Sequence, residues 1–362
     1  VSLAIILPPM AAWTGIIKLC LGIKSFLDKI KKILIKSKKE WKKILLKLSL
    51  KQKLLGKYPK MIKKKILITG CSGFIGKKLV SKLKLKKNVF LYLIITKNKI
   101  LEKTKNIKYI RCSLLNKKKL KKKIKKLEIS DVIHCAWIGV NANNRNSNNQ
   151  KKNLEIIKNI ISSISDKKIN SFIALGSQAE YGSINKKIYE NAKLNPITSY
   201  GKIKVKVCKI IKKFSKKKFR FVWLRIFTGY GPGSNSNWLI PNTIIKLKNN
   251  IEINFTHGMQ IYNFIYISDI VTAIIKSLYK KKAHGAYNLG HPKSHRVRDI
   301  VKLIFTKLKI KKNPSFGNLN YRKDQVMKYL PSISKIKKDL NWTPKYSISR
   351  GIDENIKYIL RS

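Results

Sequence analysis

The chain has 362 residues, with 82 lysines and arginines against 16 aspartates and glutamates, for a formal charge of +66. Only nine of those 82 are arginine, and the lysines run through every segment beside isoleucine and asparagine, which describes a solvated lysine surface rather than a face for a specific nucleic acid. Five cysteines, an odd number without CxxC or Cys/His metal spacing, exclude a metal site of that kind and point to a reducing cytoplasm.

Residues 1–60 read as a basic, partly apolar extension. The uncharged opening "VSLAIILPPMAAWTGII" is interrupted by Pro8 and Pro9 and followed by Lys18, so it falls short of a membrane span. The next stretch, "SFLDKIKKILIKSKKEWKKILLKLSL", has the pattern of a basic amphipathic helix, which suits contact with an anionic membrane surface. The competing reading makes Met61 the natural start and leaves the extension outside the folded core.

From Ile66 onward, strand-like and helix-like segments alternate, which predicts an α/β fold with a doubly wound parallel sheet. "KILITG" is the first strand and "KKLVSKLK" continues as a helix; "NVFLYLIIT", "IKYIRCSLL", "DVIHCAWIG", "NSFIALGS", "FRFVWLRIF" and "GAYNLG" follow as strands. Apolar runs this continuous suit strands covered on both faces.

Gly70, Gly73 and Gly76 lie between the first strand and its helix. A tight turn, close approach of backbone to a pyrophosphate and close helix packing each require a missing side chain there, and the helix N-terminus offers free N–H groups to phosphate. The second strand ends in Thr96 and Lys97, with no acid before Glu102 to accept from an adenosine ribose. NADP is therefore preferred over NAD.

Tyr200 and Lys204 are four residues apart after Pro196 and Ser199, so they share one face of a helix. A lysine beside a phenol favours the phenolate, and Ser177 at the end of the fifth strand can bond the same substrate oxygen. The trio suits proton transfer to or from an alcohol or ketone oxygen during hydride transfer.

These pieces, with "TGCSGFIG", "GSQAEYG", "SYGKIK", "LRIFTGYGPG", "QIYNFIYISDI", "YNLG", Tyr321 and Arg322, and "LNWTPKYSISRGI", resemble the extended short-chain dehydrogenase/reductase superfamily of NAD(P)-dependent nucleotide-sugar epimerases, dehydratases and reductases. The resemblance covers residues 63 to about 360. It implies a Rossmann-type cofactor part, 61–235 and about 262–292, and a smaller C-terminal lobe, 236–261 and 293–362, for the nucleotide sugar. It implies Ser177, Tyr200 and Lys204 as the catalytic trio. Gly70, Gly73, Phe74, Ile75, Gly76, Thr96, Lys97, Leu114, Cys135, Ala136 and Trp137 would line the cofactor, and Gln178, Thr228 and Arg322 the substrate, with Arg322 on the diphosphate. A homodimer formed through two helices is implied as well.

Several positions depart from the family pattern. Gln178 and Ala179 stand where dehydratases carry an Asp-Glu pair, and Glu180, one place later, either faces the sugar or joins a core polar network, the second reading being slightly favoured. Thr228 replaces a common Asn, Tyr262 and Asn263 replace an Arg-Asp pair, and Ser113 replaces an Asp near the adenine. His134 reads as a packed strand residue rather than a catalyst. The expected activity is reduction of an NDP-4-keto-6-deoxyhexose for surface polysaccharide; the alternatives are a nucleotide-sugar 4-epimerase holding NAD and a non-catalytic RNA- or membrane-binding protein on the same scaffold.

Overall fold

In the first strand, β1 (Lys64–Thr69), Ile66 and Ile68 face one layer of helices and Leu67 the other, all fully buried. The same alternation runs through β2 (Val89–Ile95), where Leu91 and Leu93 oppose Tyr92 and Ile94. Strands apolar on both faces must be covered on both, and the helices between them do so. α1 (Phe74–Leu83) contributes Leu79, Val80 and Leu83 to the first layer. The second layer takes Leu120 and Ile124 from α2 (Lys117–Lys125), Ile156, Ile157 and Ile160 from α3 (Lys152–Ile164), and Ile203, Val207 and Ile211 from α4 (Ser199–Ser215).

This computed structural model describes residues 64–96, 104–216 and 218–361, together with Ser25, Asp28, Lys36, Glu40, Lys42 and Lys43, which are helical and exposed. The remaining N-terminal extension, with its expected membrane contact, and Lys97 lie outside the described residues. The chain divides into two units, 1–62 and 63–362, and every described strand belongs to the second.

β3 (Ile107–Arg111), β4 (Asp131–His134), β5 (Ser171–Ser177), β6 (Arg220–Ile226) and β11 (Gly285–Leu289) complete a seven-stranded sheet in the order β11-β6-β5-β4-β1-β2-β3. All its pairings are parallel. The chain moves outward from β1 through β3 and then crosses to β4 on the other side, which makes the β1–β4 junction the topological switch point. Open sheets of this kind bind ligands outside the strand C-termini there.

The remaining elements are short. β7 (Thr228–Tyr230) pairs with β10 (Phe264–Tyr266), which leads into α6 (Ile267–Tyr279). β8 (Asn254–Phe255) pairs with β13 (Ser315–Phe316), and β9 (Ile261–Tyr262) with β12 (His295–Arg296). α5 (Leu239–Lys248) and α7 (Val297–Lys307) pack together, and a small separate core holds Ile253, Phe255, Val301 and Phe305. The chain closes with α8 (Ser334–Leu340) and α9 (Ile348–Arg361). The Asp269 carboxylate on α6 accepts from Lys345 N at 2.9 Å and Tyr346 N at 3.0 Å, fixing the C-terminal segment to the sheet's helix layer. Among the described residues no helix is long and apolar enough to cross a membrane.

Candidate active site

Three glycines after β1 do different work. Gly70 has φ +72°, and a Cβ there would lie 2.5 Å from Ala136 N, so the turn and its contact with the end of β4 both exclude a side chain. A Cβ on Gly76 would lie 2.0 Å from the Gly70 carbonyl oxygen, so α1 could not start so close to the turn. Gly73 is different. Its φ is −77°, and a Cβ would meet nothing nearer than the Gly70 oxygen at 3.4 Å. The protein leaves room at the N-cap of α1, where Phe74 begins the helix and Ile75 is half-buried. A phosphate approaching the free N–H groups of that first turn fits this space.

The neighbouring strand ends complete the floor. β2 ends at Ile95, and the exposed Thr96 follows with no carboxylate. Leu114 is buried beyond β3, its carbonyl accepting from Asn159 Nδ2 at 3.0 Å. At the end of β4, Cys135 N donates to Thr69 O at 3.1 Å, while Ala136 N approaches Thr69 Oγ1 at 3.5 Å. Burial pushes the Cys135 thiol up to about 12, so it stays protonated. His134 Nδ1 lies 2.7 Å from Thr69 Oγ1, and burial followed by the nearby Lys204 charge lowers its imidazole to about 3. It is therefore a neutral, packed residue.

Ser177, Tyr200 and Lys204 come together from β5 and α4. Thr198 caps α4, accepting from Gly201 N at 3.1 Å, which places both Tyr200 and Lys204 on the buried side. Burial raises the Tyr200 phenol, while the nearby Ser177 side chain and the Arg145 charge pull it back and Glu180 opposes them. Lys204 is held by two groups that its spacing does not reveal. Its ammonium donates to Leu175 O at 2.6 Å and sits 3.4 Å from the centroid of the Trp137 ring. Burial draws it well below the ordinary lysine range, opposed by Glu180 and Cys135. Trp137 is itself held, its Nε1 donating to Gln150 Oε1 at 3.0 Å.

Glu180 faces the core. It is fully buried, accepts from Ser177 N at 2.8 Å and Trp223 Nε1 at 2.9 Å, and pairs with Arg225 Nε at 2.8 Å. Arg225 in turn donates to the Tyr181 hydroxyl and the Glu190 carbonyl. The carboxylate closest in sequence to Ser177 thus fixes the strand end.

On the open side, Gln178 Nε2 reaches Thr228 Oγ1 at 3.5 Å, while Gln178 Oε1 is buried with no hydrogen-bond partner among the described residues. Arg322 is half exposed, 3.7 Å from Asp324. Tyr262, in the place of the family arginine, donates to Val326 O at 2.9 Å and packs its ring on Tyr329. Sequence reasoning missed Arg145. Its guanidinium lies 5.7 Å from the Tyr200 ring centroid, and its Nε is buried without a partner. A signal existed: it is one of nine arginines in a chain that otherwise uses lysine for its positive charge.

A switch-point glycine turn beside Ser177 and the buried Tyr200 and Lys204 is the arrangement of a class, dinucleotide-dependent enzymes acting at a carbon-bound oxygen. Residues 66–290 match the NAD dependent epimerase/dehydratase family, and the chain belongs to that family. It is 30% identical to CDP-abequose synthase of Salmonella muenchen over 134 residues, 36% of this chain and 45% of that protein. It is 25% identical to dTDP-4-dehydro-6-deoxyglucose reductase of Escherichia coli over 312 residues, 81% of this chain and 97% of the other. Among solved structures it resembles UDP-glucuronic acid 4-epimerase of Bacillus cereus in complex with UDP-glucuronic acid and NAD, with TM-score 0.73, 24% identity, and coverage of 82% of this chain and 99% of the other.

Proposed function

We propose that this protein reduces the ketone of an NDP-4-keto-6-deoxyhexose, with NADPH as the preferred cofactor, to supply a deoxyhexose for surface polysaccharide. The observation that carries the reading is the fate of Glu180. Dehydration needs a carboxyl group beside the sugar, but Gln178 and Ala179 follow Ser177, and Glu180 is committed to Ser177 N, Trp223 and Arg225 in the core. Reduction needs only the proton donor that remains.

The fit to a dinucleotide rests on the space at Gly73 and the end of β2. When bound, the nicotinamide supplies the hydride. Tyr200 then gives its proton to the ketone oxygen as that oxygen gains negative charge, while Ser177 holds the same oxygen in place. Lys204, against the Trp137 ring and near that of Tyr200, stabilises the phenolate left behind in its protonated form and would hold a ribose hydroxyl of the bound cofactor. The absence of a carboxylate at Thr96 favours a cofactor bearing a 2′-phosphate. A homodimer through the adjacent α3 and α4 belongs to the same proposal.

With an NDP-4-keto-6-deoxyhexose, the enzyme is expected to consume one NADPH per sugar reduced. Tyr200→Phe is expected to lower kcat about a hundredfold or more, with NADPH affinity unchanged. Normal turnover in Tyr200→Phe removes the assignment. Likeness to the Bacillus cereus epimerase favours a second reading, a 4-epimerase with tightly held NAD. Interconversion of nucleotide hexoses without added cofactor establishes that reading in place of the first.

A further inference from the structure

The loop between β4 and α3 is built to hold one side chain in place. Gln150, almost fully buried, donates from Nε2 to Gly139 O at 2.6 Å and to Asn144 O at 2.9 Å. Asn153 clasps Ile138 from both sides, accepting from its N at 2.9 Å and donating to its O at 3.1 Å. The loop is then fastened to the start of α4: Tyr200 N donates to Arg145 O at 2.8 Å, and Ser199 N to Asn146 Oδ1 at 3.0 Å. Arg145 is thus anchored at its backbone on the residue that carries the reacting phenol.

Its side chain, by contrast, is unspent. The guanidinium lies over the Tyr200 ring, and its Nε has no water access and no acceptor among the described residues. A buried charged donor without a partner is costly, and native proteins keep such groups where a ligand satisfies them. On the residue after Ser177, Gln178 Oε1 is a buried acceptor without a donor among the described residues. An unpartnered donor against the Tyr200 ring and an unpartnered acceptor on the residue after Ser177 suit the hydroxyl groups of a polyhydroxylated ring. The Arg145 charge is also felt at Tyr262 and Tyr329, as is that of Arg322.

We propose that Arg145 is a sugar-contact residue, donating through its guanidinium to hexose oxygens at the reacting end of the nucleotide sugar, with Gln178 Oε1 accepting from a sugar hydroxyl. This deepens the nucleotide-sugar reading above and rests on it. Arg145 also acts on the chemistry, because its positive charge beside the Tyr200 ring lowers the phenol's cost of ionisation.

The test separates sugar from diphosphate and does not depend on which reaction occurs. Calorimetry with UDP, dTDP and CDP and their hexose conjugates first identifies the nucleotide that the wild-type protein binds. Arg145→Ala is then expected to bind the free diphosphate as the wild type does and the sugar conjugate about tenfold or more weakly, the scale of a lost bond to a charged donor. In turnover, kcat falls by a similar or larger factor, and methylguanidinium restores part of it, which a purely structural loss would not allow. Arg145→Lys, which keeps charge and loses the fork, is expected to recover less than half of the affinity. Because any substitution retains the main-chain carbonyl that holds Tyr200, the melting midpoint is expected to stay within a few degrees of wild type. Equal losses for diphosphate and conjugate, or no loss for either, overturn the proposal. Failure of the wild type to bind any of the conjugates overturns the nucleotide-sugar reading and this one with it, whereas normal binding without ketone reduction leaves Arg145 standing and removes only the reductase.

Discussion

At the scale of single residues, two arginines of this lysine-rich chain, Arg220 and Arg225, occupy positions that lysine fills poorly. Arg220 donates to four main-chain carbonyls around the end of α6, those of Ser277, Leu278, Lys280 and Ala283, where a planar fork serves several acceptors. Arg225 reaches Glu180, Tyr181 and Glu190 in the core. Breaking that pair leaves a buried charge, so Arg225→Met is expected to cost about 3–5 kcal/mol in urea unfolding. Replacing Glu180 by Leu as well should return much of the loss; a double variant no more stable than Arg225→Met would show that the pair itself is not the cause. His134 gives a pH dependence. Its folded pKa of about 3 lies below the unfolded value, so the unfolded chain binds the extra proton and stability falls as pH drops below about 6.5. The expected contribution is a loss of about 2 kcal/mol by pH 5. In His134→Asn, the unfolding free energy should change correspondingly less between pH 7 and pH 5, whatever its absolute value. Of these residues the sequence made His134 and Glu180 readable as core groups, because each sits where an apolar strand meets a turn. Arg145 was not readable, since its position depends on Gln150, Asn153 and α4, contacts that no local spacing encodes.

At the scale of elements, the glycine turn separates folding from binding. Gly76→Ala forces a Cβ against the Gly70 oxygen and should lower the melting midpoint by several degrees, consistent with an overpacking cost of about 1–3 kcal/mol. Gly73→Val meets no such clash, so it should melt near the wild type yet fail to bind dinucleotide in a fluorescence titration. Retained binding in Gly73→Val would place the phosphates elsewhere. The seven sheet strands were legible because each is an apolar run bounded by glycine, asparagine or lysine-rich turns. The paired strands β8, β9, β12 and β13 were not, since each is two residues long and no periodicity can appear. The spacing of Tyr200 and Lys204 correctly implied a common helical face. It could not foretell that the ammonium would rest on Leu175 O and the Trp137 ring, because one partner comes from β5 and the other from the loop after β4.

At the scale of the whole molecule, the parallel order of the sheet was legible as a class and not as an order, because alternation of strands and helices gives handedness and covering but not which edge comes last. That last edge has a consequence for how the chain is made. β6 presents Val222, Trp223 and Leu224, all fully buried, and its outer neighbour β11 pairs through Gly285↔Val222 to Leu289↔Ile226. Residues 227–284 must leave the ribosome before β11 can arrive. Throughout that interval the nascent protein carries a bare, apolar strand edge, the feature most prone to join another chain. A fragment spanning 61–284 freezes this moment, and it should sediment as aggregate at concentrations where 61–362 stays in solution; a soluble, monomeric fragment would mean that the edge is harmless. The lysines spread through every segment then take on a meaning unconnected with any partner, as mutual repulsion between half-made copies on neighbouring ribosomes until the final strand closes the sheet.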